Sequence, residues 1–239
     1  MSANAGGGRV ETSFYDATAA TYDSLMAEPP APHIRRRFLD LVRSHVAPPG
    51  PILDFGCGTG IDARHYACTG YTVLAYDPSV AMLEPLRRRC AGAIRASRVI
   101  AVSGSAADCL DAARALAPFG GITSNFSALN HVDEPEPLLA AFGDLLKPGG
   151  RMILSLLNPW YWPDMKSGWW WRARMGSVGR SGFVVDLGQN RTVRHDPARI
   201  GRRAGLRRVV LRGALHKGIR ASLPGHPGDA LVFVVLASS

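Results

Sequence analysis

The sequence predicts an α/β protein with a doubly wound, mostly parallel seven-stranded sheet that ends in an antiparallel hairpin. Three observations lead to this prediction. Short apolar runs alternate with helical patterns through residues 51–157, a glycine-rich turn follows the first run, and the last two runs are joined by many glycines and prolines. Continuous apolar strands linked by helices form a parallel sheet that is covered on both faces.

The helix before the first strand is predicted over residues 31–46, where Ile34, Phe38 and Leu41 share one stripe and arginines lie opposite. Prolines at 47–51 end it. The predicted strands are PILDF (51–55), YTVLAY (71–76), RVIAV (98–102), GITSN (121–125) and RMILSLL (151–157). The helices between them are predicted near 60–68, 79–91, 106–117 and 135–147.

The alternation breaks after residue 157. An insertion at 158–194 contains all five tryptophans, and a last helix is expected before LRRVVLRG (206–213). The connection from that strand to DALVFVVLAS (229–238) has too many glycines and prolines for a crossover helix. Neighbouring strands joined without a crossover pair antiparallel, which predicts the terminal hairpin.

Composition limits the class of protein. With 239 residues, 46% hydrophobic and 20% charged, the chain suits one globular domain over 13–239 after a flexible tail at 1–12. No apolar run approaches the about 20 residues that span a bilayer. The four cysteines form no CxxC pair, and no histidine–carboxylate spacing suggests a metal site. We therefore expect a cytoplasmic protein with reduced thiols and no metal.

The segment ILDFGCGTG (52–60) carries the first functional signal. Asp54 ends a strand, and Gly56, Gly58 and Gly60 follow at alternate positions before a helix. Glycines there permit positive φ and let a ligand approach the backbone. A dinucleotide fingerprint would need a further glycine where Ile61 stands, so the pattern is GxGxG.

The second signal is an acid at the end of the next strand. Asp77 in AYDP follows Gly56 by 21 residues. A carboxylate at that edge of a parallel sheet can accept hydrogen bonds from both hydroxyls of a ribose. Either feature alone is typical of an ordinary turn or a solvated strand end, but together they predict a nucleoside-binding site.

The net charge of +9 lies in one block. Between Arg191 and Arg220 stand ten of the 28 Lys/Arg and only one of the 19 acids. Such arginines commonly form the solvated face of a helix and an edge strand, where positive charge discourages edge-to-edge pairing. The functional alternatives are an anionic acceptor or RNA, although no base-reading module is visible and nucleic-acid binding is therefore not favoured.

Four segments together resemble the class I S-adenosylmethionine-dependent methyltransferases that act on small molecules: LDFGCGTG, AYDPSVAML, LLKPGGRMILS and the N-terminal FYDATAATYD. The resemblance covers roughly residues 13–157 well and 195–238 loosely. It implies a Rossmann-like fold and S-adenosylmethionine as the cofactor. It also implies transfer of a methyl group to oxygen or nitrogen of a small acceptor, which the tryptophan-rich insertion predicts to be aromatic or hydrophobic. We expect a monomer or a homodimer.

The resemblance implies a role for each matching residue. Asp54 and the turn residues Gly56, Cys57, Gly58 and Gly60 would hold the methionine end, and Asp77 the ribose. The remaining cofactor contacts would come from Pro78, Met82, Ser105 and Ala106 around the adenine, from Asn125 and Phe126 near the reaction centre, and from Tyr15 and Tyr22 folded over the cofactor. Ser105 stands where the family often has an acid. Met82 and the two tyrosines could equally be packing residues.

The reaction needs alignment more than a base, because positioning contributes up to roughly 7–11 kcal/mol. A general base adds about 10²–10⁴-fold, and only for acceptors that start protonated. His131, which follows the fourth strand, is the candidate base. His-Val at this point is also common in the family for structural reasons.

The insertion at 158–194 leaves the sheet edge over which ligands bind, so we expect it to form a lid over the acceptor. Trp160, Trp162 and Trp169 are the predicted acceptor contacts, the first two sharing a face if the chain is extended. The alternatives are a structural mini-core or dimer contact, and an interfacial membrane patch. Rival functions are an NAD-dependent oxidoreductase, an RNA methyltransferase and a non-catalytic S-adenosylmethionine-binding partner protein.

Overall fold

The computed structural model describes residues 13–177, 182–186, 191–215 and 228–238, so the predicted tail at 1–12 lies outside the described residues. The main sheet contains β1 (Gly50–Phe55), β2 (Tyr71–Tyr76), β3 (Val99–Val102), β4 (Phe119–Ser124), β5 (Leu146–Leu157), β8 (Leu206–Gly213) and β9 (Leu231–Ser238). Their order is β3-β2-β1-β4-β5-β9-β8. Strands β1 to β5 pair in parallel, and β9 runs antiparallel to both β5 and β8. The predicted fold class is confirmed.

Helices cover both faces of this sheet. They are α1 (Ser13–Thr18), α2 (Tyr22–Ala27), α3 (Ala31–His45), α4 (Ile61–Cys68), α5 (Val80–Arg89), α6 (Ala91–Arg95), α7 (Ala106–Leu116) and α8 (Pro135–Asp144). Successive strand residues face opposite sides. Ile52 therefore packs with α3, α4 and α5 in one apolar cluster, whereas Leu53 packs with α7 and α8 in the other.

The register of β1 and β2 positions the functional edge. Phe55, the last residue of β1, pairs with Tyr76, the last residue of β2. Because the strands are parallel and in this register, the glycine-rich turn and Asp77 leave the sheet side by side. The short 3-10 helix Ala128–His131 follows β4 at the same edge.

The insertion contains both helices and strands. These are α9 (Trp162–Met165), α10 (Gly168–Met175) and the antiparallel pair β6 (Gly182–Asp186) and β7 (Arg191–His195). Trp162 begins a helix in which Pro163 occupies one of the first positions, where proline is favourable. The extended chain that would place Trp160 and Trp162 on one face is therefore not formed.

The predicted last helix is also absent, because residues 197–205 form turns. Gly201 and Gly205 have left-handed φ values of 77° and 72°, which an α-helix cannot contain. The carboxylate of Glu136 accepts hydrogen bonds from the backbone amides of Gly201 and Ala204 at 2.8 and 3.0 Å. These bonds fix the turns against α8, so the arginines of this segment are not on a helix face.

Other boundaries shift by a few residues. The predicted helix at 79–91 divides into α5 and α6 at Cys90. Strands β4 and β5 begin earlier than predicted because Phe119 pairs with Leu146, before an irregularity in the register. In the described part of the chain, the longest apolar helix falls short of what crossing a membrane would require.

Candidate active site

The glycine-rich turn after β1 is held by the end of β2. Gly56 and Gly58 have φ values of 76° and 52°. The backbone amides of Gly56 and Cys57 donate to the carbonyl of Tyr76 at 2.8 and 2.9 Å. The amide of Gly58 donates to Oδ2 of Asp77 at 2.8 Å. Three N–H groups of the turn are thus engaged by the protein.

Two of the glycines also allow close packing. A Cβ at Gly56 would lie 2.2 Å from Cβ of Ala128, so this glycine lets the 3-10 helix approach the turn. A Cβ at Gly60 would lie 2.6 Å from Leu86 of α5. The structure therefore accounts for Gly60 by helix packing, whereas a cofactor contact at Gly60 stays a prediction.

A cleft opens between this turn, α3 and the end of β4. It is lined by Tyr22, Arg35, Gly56, Cys57, Gly58, Thr59, Ile61, Asp62, Asn125 and Phe126. Six of these residues belong to the predicted cofactor contacts. The strand ends thus bring together residues that lie about 100 positions apart in the chain.

Arg35, Asp62 and Asn125 form a connected group that the sequence analysis missed. Arg35 Nη1 donates to Oδ1 of Asp62 at 2.5 Å, and Asn125 Nδ2 donates to Oδ2 of the same carboxylate at 2.9 Å. The side chains of Arg35 and Asp62 are only 13% and 6% exposed. The Arg35 guanidinium also lies 4.6 Å from the ring centroid of Phe126. A cation is therefore held in a fixed position at the cleft wall.

The backbone beyond Asn125 is strained. Phe126 and Ser127 have φ values of 47° and 63°, in the left-handed region that favours glycine. Such residues cost about 1–3 kcal/mol each and persist only where the surroundings hold them. Oδ1 of Asn125 accepts from the amide of Phe126 at 2.8 Å, and the amide of Ser127 donates to Ser155 at 3.1 Å. This turn directs the Phe126 ring toward Arg35.

Asp54 lies beneath the turn and is fully buried. Its Oδ1 accepts a hydrogen bond from Oγ1 of Thr123 at 3.1 Å. Its Oδ2 has no hydrogen-bond partner among the described residues. Burial, reinforced by the charge of Asp62, raises the pKa of the Asp54 carboxyl well above its usual range. A buried acceptor of this kind suits a cationic ligand group.

Asp77 is engaged by backbone amides on both sides. Besides the bond from Gly58, its Oδ1 accepts from the amide of Ser79 at 3.0 Å. Burial raises the pKa of Asp77 to about 6, although these two bonds oppose the rise. Each carboxylate oxygen can accept a second hydrogen bond, so the side chain can still bind a diol.

The two N-terminal helices are attached to this edge by both aspartates of FYDATAATYD. Asp16 of α1 accepts from Oγ of Ser79 at 2.5 Å. Asp23 of α2 accepts from Oγ1 of Thr59 at 2.6 Å and pairs with Arg89 of α5. Sequence reasoning identified the neighbouring tyrosines and missed the aspartates. Tyr22 lies near the turn, where a Cβ at Gly58 would be 3.7 Å from its ring.

Tyr15 and His131 form a pair. The Tyr15 hydroxyl lies 2.7 Å from Nε2 of His131, and the two rings meet edge to face. Burial lowers the pKa of His131 below its usual value of 6.5, while a hydrogen bond with the backbone of Arg191 opposes this shift. His131 is therefore a neutral imidazole at pH 7, as a general base requires.

The four residues predicted around the adenine lie at the starts of α5 and α7. Pro78 is half-buried, and Met82 is fully buried. Ser105 caps α7: its Oγ accepts from the amide of Asp108, whose carboxylate accepts from the amide of Ser105. Ala106 is the first residue of that helix. Adenine contacts of these four residues stay predictions.

Most of the tryptophans form a small apolar cluster within the insertion. Trp170 is 2% exposed and packs with Phe183 and Val185. Trp160 and Trp169 are half-buried against this cluster. Trp162 is 55% exposed, with Nζ of Lys166 lying 5.7 Å from its ring centroid. The packing supports the mini-core alternative for the buried rings, while acceptor contact by Trp160, Trp162 and Trp169 stays a prediction.

The insertion is fixed to the loop that carries His131. The buried Asn130 accepts from the amide of Leu157 at 3.0 Å and donates to the carbonyl of Val193 at 2.6 Å. His195, also buried, donates to the carbonyl of Val132 at 3.0 Å. Strand β7 therefore lies against the 3-10 helix, beside the predicted base.

The charges of the site favour a ligand with both a cation and a carboxylate. Asp54, Asp62 and Asp77 are buried acids at one strand edge, and Arg35 is the cation that faces the cleft beside them. A pyrophosphate would need free N–H donors at the glycine turn, whereas those of Gly56, Cys57 and Gly58 are engaged. The ammonium and carboxylate groups of S-adenosylmethionine fit these charged side chains. Among the described residues, no cluster of His, Cys, Asp or Glu could hold a metal ion.

Comparison with known proteins agrees with this site. Residues 29–191 match the profile of a family described as "Methyltransferase domain". The ubiquinone biosynthesis O-methyltransferase of Xanthomonas axonopodis pv. citri (strain 306) is 32% identical over 123 residues, or 50% of this chain and 48% of that protein. The demethylmenaquinone methyltransferase of Clavibacter sepedonicus is 38% identical over 103 residues, or 43% and 39%. The chain spans about half the length of the curated relatives it matches.

Solved structures share the fold. The CcbJ methyltransferase from Streptomyces caelestis has a TM-score of 0.66 at 19% identity, covering 96% of this chain and 99% of that one. The Burkholderia thailandensis 1,6-didemethyltoxoflavin-N1-methyltransferase, solved with 1,6-didemethyltoxoflavin and S-adenosylhomocysteine, has a TM-score of 0.65 at 19% identity, covering 96% and 88%. At these identities the likeness concerns the fold alone.

The family match covers more than half of the chain, and the seven-stranded sheet ends in the predicted antiparallel hairpin. The predicted family is confirmed. Structures of the same fold include a glycopeptide N-methyltransferase, MtfA, that was solved in complex with S-adenosylmethionine. The chain belongs to the methyltransferase domain family and has the class I fold of S-adenosylmethionine-dependent methyltransferases.

Proposed function

We propose that this protein transfers the methyl group of S-adenosylmethionine to oxygen or nitrogen of a small aromatic or hydrophobic acceptor. The observation that carries the proposal is the charge arrangement at the strand edge. The buried carboxylate of Asp54 has an unpartnered oxygen beneath a turn whose N–H groups are engaged, and Arg35 faces the same cleft. This arrangement suits an amino-acid zwitterion and a ribose rather than a dinucleotide.

Three side chains have a definite task in the proposed complex. Asp54 binds the ammonium, Arg35 binds the carboxylate, and Asp77 accepts from the ribose hydroxyls. S-adenosylmethionine supplies a methyl group on a positively charged sulfur. The protein contributes by excluding water and aligning the acceptor, which is the larger part of the rate enhancement for such a displacement.

The acceptor is proposed to lie between the 3-10 helix and the insertion. Strand β7 is fixed against that helix through Asn130 and His195, so the insertion borders the predicted base. The matched proteins named for ubiquinone biosynthesis and for demethylmenaquinone support a hydrophobic ring as acceptor. Trp162, the most exposed tryptophan of the insertion, is the proposed side chain for contacting such a ring.

Thermal shift with two ligands tests the proposal. S-adenosylhomocysteine should raise the melting temperature with the logarithm of its concentration above the Kd, and NAD should leave it unchanged. Methyl transfer from labelled S-adenosylmethionine to a panel of phenols, catechols and amines then measures turnover. Stabilisation by NAD alone would overturn the cofactor assignment. Binding of S-adenosylhomocysteine without turnover of any acceptor would support the non-catalytic partner protein instead.

A further inference from the structure

The Tyr15–His131 pair joins two parts of the chain that the proposed cofactor site does not require to touch. Tyr15 belongs to α1 and His131 ends the 3-10 helix after β4, yet the hydroxyl and Nε2 are 2.7 Å apart. Both residues are half-buried, so each retains a face that a ligand can reach. The contact lies between the N-terminal helices and the loop against which the insertion packs.

The roles of Tyr15 and His131 in their hydrogen bond depend on the tautomer of the imidazole. A hydrogen bond with the backbone of Arg191 raises the pKa of His131. A neutral imidazole has one N–H, and when that N–H is on Nδ1 the acceptor is Nε2. In that tautomer the Tyr15 hydroxyl donates its proton to Nε2, and its own oxygen can accept a hydrogen bond from another group.

The charged groups around the pair keep both members in the forms that this chemistry needs. Burial, followed by the neighbouring Tyr22 and Asp77, raises the pKa of Tyr15, which therefore stays a phenol. On the His131 side, Asp133 of the same loop forms an ion pair with Arg191 of β7. That pairing balances the charge of Asp133, and burial lowers the pKa of His131, so the imidazole is not held as an imidazolium.

Building on the proposed function, we propose that Tyr15 is a catalytic residue that passes the acceptor's proton to His131, and that the acceptor is therefore a hydroxyl group. The acceptor O–H donates to the oxygen of Tyr15. As this oxygen of the acceptor bonds to the methyl carbon, the carbon–sulfur bond breaks and its electron pair stays on sulfur. The acceptor's proton moves to Tyr15, and the proton of Tyr15 moves to Nε2.

The charge balance explains why a hydroxyl acceptor needs this pair. The positive charge that leaves the sulfur ends on the imidazole, which then releases a proton to water. An amine reacts as its neutral form and needs no base before the transfer, whereas a phenol or alcohol is a poor nucleophile until its proton is accepted. A two-residue path for the proton therefore favours oxygen as the methylated atom.

The tautomer is measured directly, without turnover. Nitrogen-15 NMR of the histidines, with His131→Gln for assignment, should show a proton on Nδ1 and none on Nε2 of His131 at pH 7, in the free protein and with S-adenosylhomocysteine. A proton on Nε2 would overturn the proposal. Failure to bind S-adenosylhomocysteine would instead reject the proposed function, so the two failures are distinguishable.

Turnover of two phenols provides the second test. Catechol stays protonated at neutral pH, whereas pentafluorophenol is ionised and needs no base. Tyr15→Phe should slow methylation of catechol by about 10²–10⁴-fold while changing kcat for pentafluorophenol little. Adding His131→Gln to Tyr15→Phe should cost little more, because the two act as a unit. Equal losses on both phenols would show a packing role and overturn the proposal.

A matched control removes a different buried hydroxyl. Tyr71 donates to the carbonyl of Val46 at 2.6 Å, at the opposite end of β2 from the site. Tyr71→Phe should lower the melting temperature without changing the ratio of the two phenol rates. A changed ratio in Tyr71→Phe would show that loss of stability alone alters the selectivity, and would count against the proton path.

Discussion

The carboxylate of Asp77 accepts a hydrogen bond from the backbone amide of Gly58 at 2.8 Å, across 19 residues of sequence. This bond joins the two parts of the nucleoside-binding motif, the glycine-rich turn after β1 and the acid after β2. It fixes the peptide plane of the turn and orients the carboxylate at the same time. The cleft is thus pre-organised before a ligand arrives, which reduces the entropy lost on binding.

Replacing Asp77 with Asn should weaken binding of S-adenosylhomocysteine by about 10–100-fold, since hydrogen bonds to a charged group contribute about 1.5–3 kcal/mol. The amide keeps the size of the side chain, so the fold should remain. Titration calorimetry measures the affinity. Asp111→Asn, at an exposed carboxylate of α7 paired with Arg114, is the matched control and should bind normally. Unchanged affinity in Asp77→Asn would contradict the assignment.

The sequence predicts this part of the site well because local order and sheet geometry are sufficient for it. Alternate glycines after an apolar strand require a tight turn, and an acid after the next strand must lie at the same edge of a parallel sheet. Gly56, Cys57 and Gly58 line the cleft for this reason. The glycines and prolines between the last two strands likewise predict the terminal hairpin, because they leave no room for a crossover helix.

The other residues of the site, and the turns in place of the predicted last helix, depend on contacts between elements that are distant in the sequence. No local pattern of residues contains these contacts. Arg35 lies within three consecutive arginines, and only the fold places it opposite Asp62. Asp16 and Asp23 resemble solvated helix acids until α5 and the glycine turn are placed beside them. The predicted last helix fails because Glu136, about 65 residues away, holds the turns at Gly201.

Replacing Asp54 with Asn should stabilise the ligand-free protein and weaken its binding of S-adenosylhomocysteine. Burial raises the folded-state pKa of this carboxyl above its unfolded value, so the protein loses stability as pH rises from the unfolded pKa to the folded pKa, where only the unfolded chain has released the proton. Asn does not titrate and removes this loss. The ligand-free variant should therefore melt at a higher temperature at pH 8, by about 2–4 °C for each kcal/mol gained. Its affinity for S-adenosylhomocysteine should fall at least 10-fold, a loss of about 1.4 kcal/mol.

Asp144→Asn, at an exposed position at the end of α8, is the control for this experiment and should change neither quantity. A variant at Asp54 that is less stable at every pH would show that the buried carboxylate supports the fold rather than the ligand. Thermal denaturation at pH 5 and pH 8 distinguishes the two outcomes, because the gain should shrink at the lower pH.

Asp23→Ala should loosen the N-terminal helices. Its carboxylate accepts from Thr59 and pairs with Arg89, and both bonds are lost together. Hydrogen exchange should become faster over residues 13–27, while β1 and β2 keep their protection. Asp40→Ala removes an exposed pair with Arg43 on α3 and should leave exchange unchanged, because such surface pairs contribute about 0–1 kcal/mol. Unchanged protection in Asp23→Ala would show that Asp16 and packing are enough to hold the N-terminal helices in place.

Two tryptophans of the insertion should respond differently to alanine. Trp170 is buried, and its Nε1 donates to the carbonyl of Pro159 at 2.9 Å. Its loss should destabilise the insertion by about 3–5 kcal/mol, which limited proteolysis near 158–177 detects. Trp162→Ala should leave that stability within about 0.5 kcal/mol while lowering acceptor turnover. Normal acceptor turnover in Trp162→Ala would reject its proposed contact with the acceptor.

His195 should make the attachment of the insertion sensitive to acid. Burial lowers the pKa of this imidazole to about 4, and its Nε2 donates to the carbonyl of Val132. In the unfolded chain the same group titrates near about 6.5, so between these values the unfolded state binds more protons than the folded state. Stability should therefore be lost as pH falls from about 6.5 to 4, by up to about 1.4 kcal/mol per pH unit.

Urea denaturation across this range should show a shallower loss in His195→Gln than in the wild type, whereas His33→Gln, at an exposed position of α3, should follow the wild type. Parallel curves for His195→Gln and the wild type would mean that the proton binds elsewhere, and that β7 stays on the 3-10 helix without a neutral imidazole.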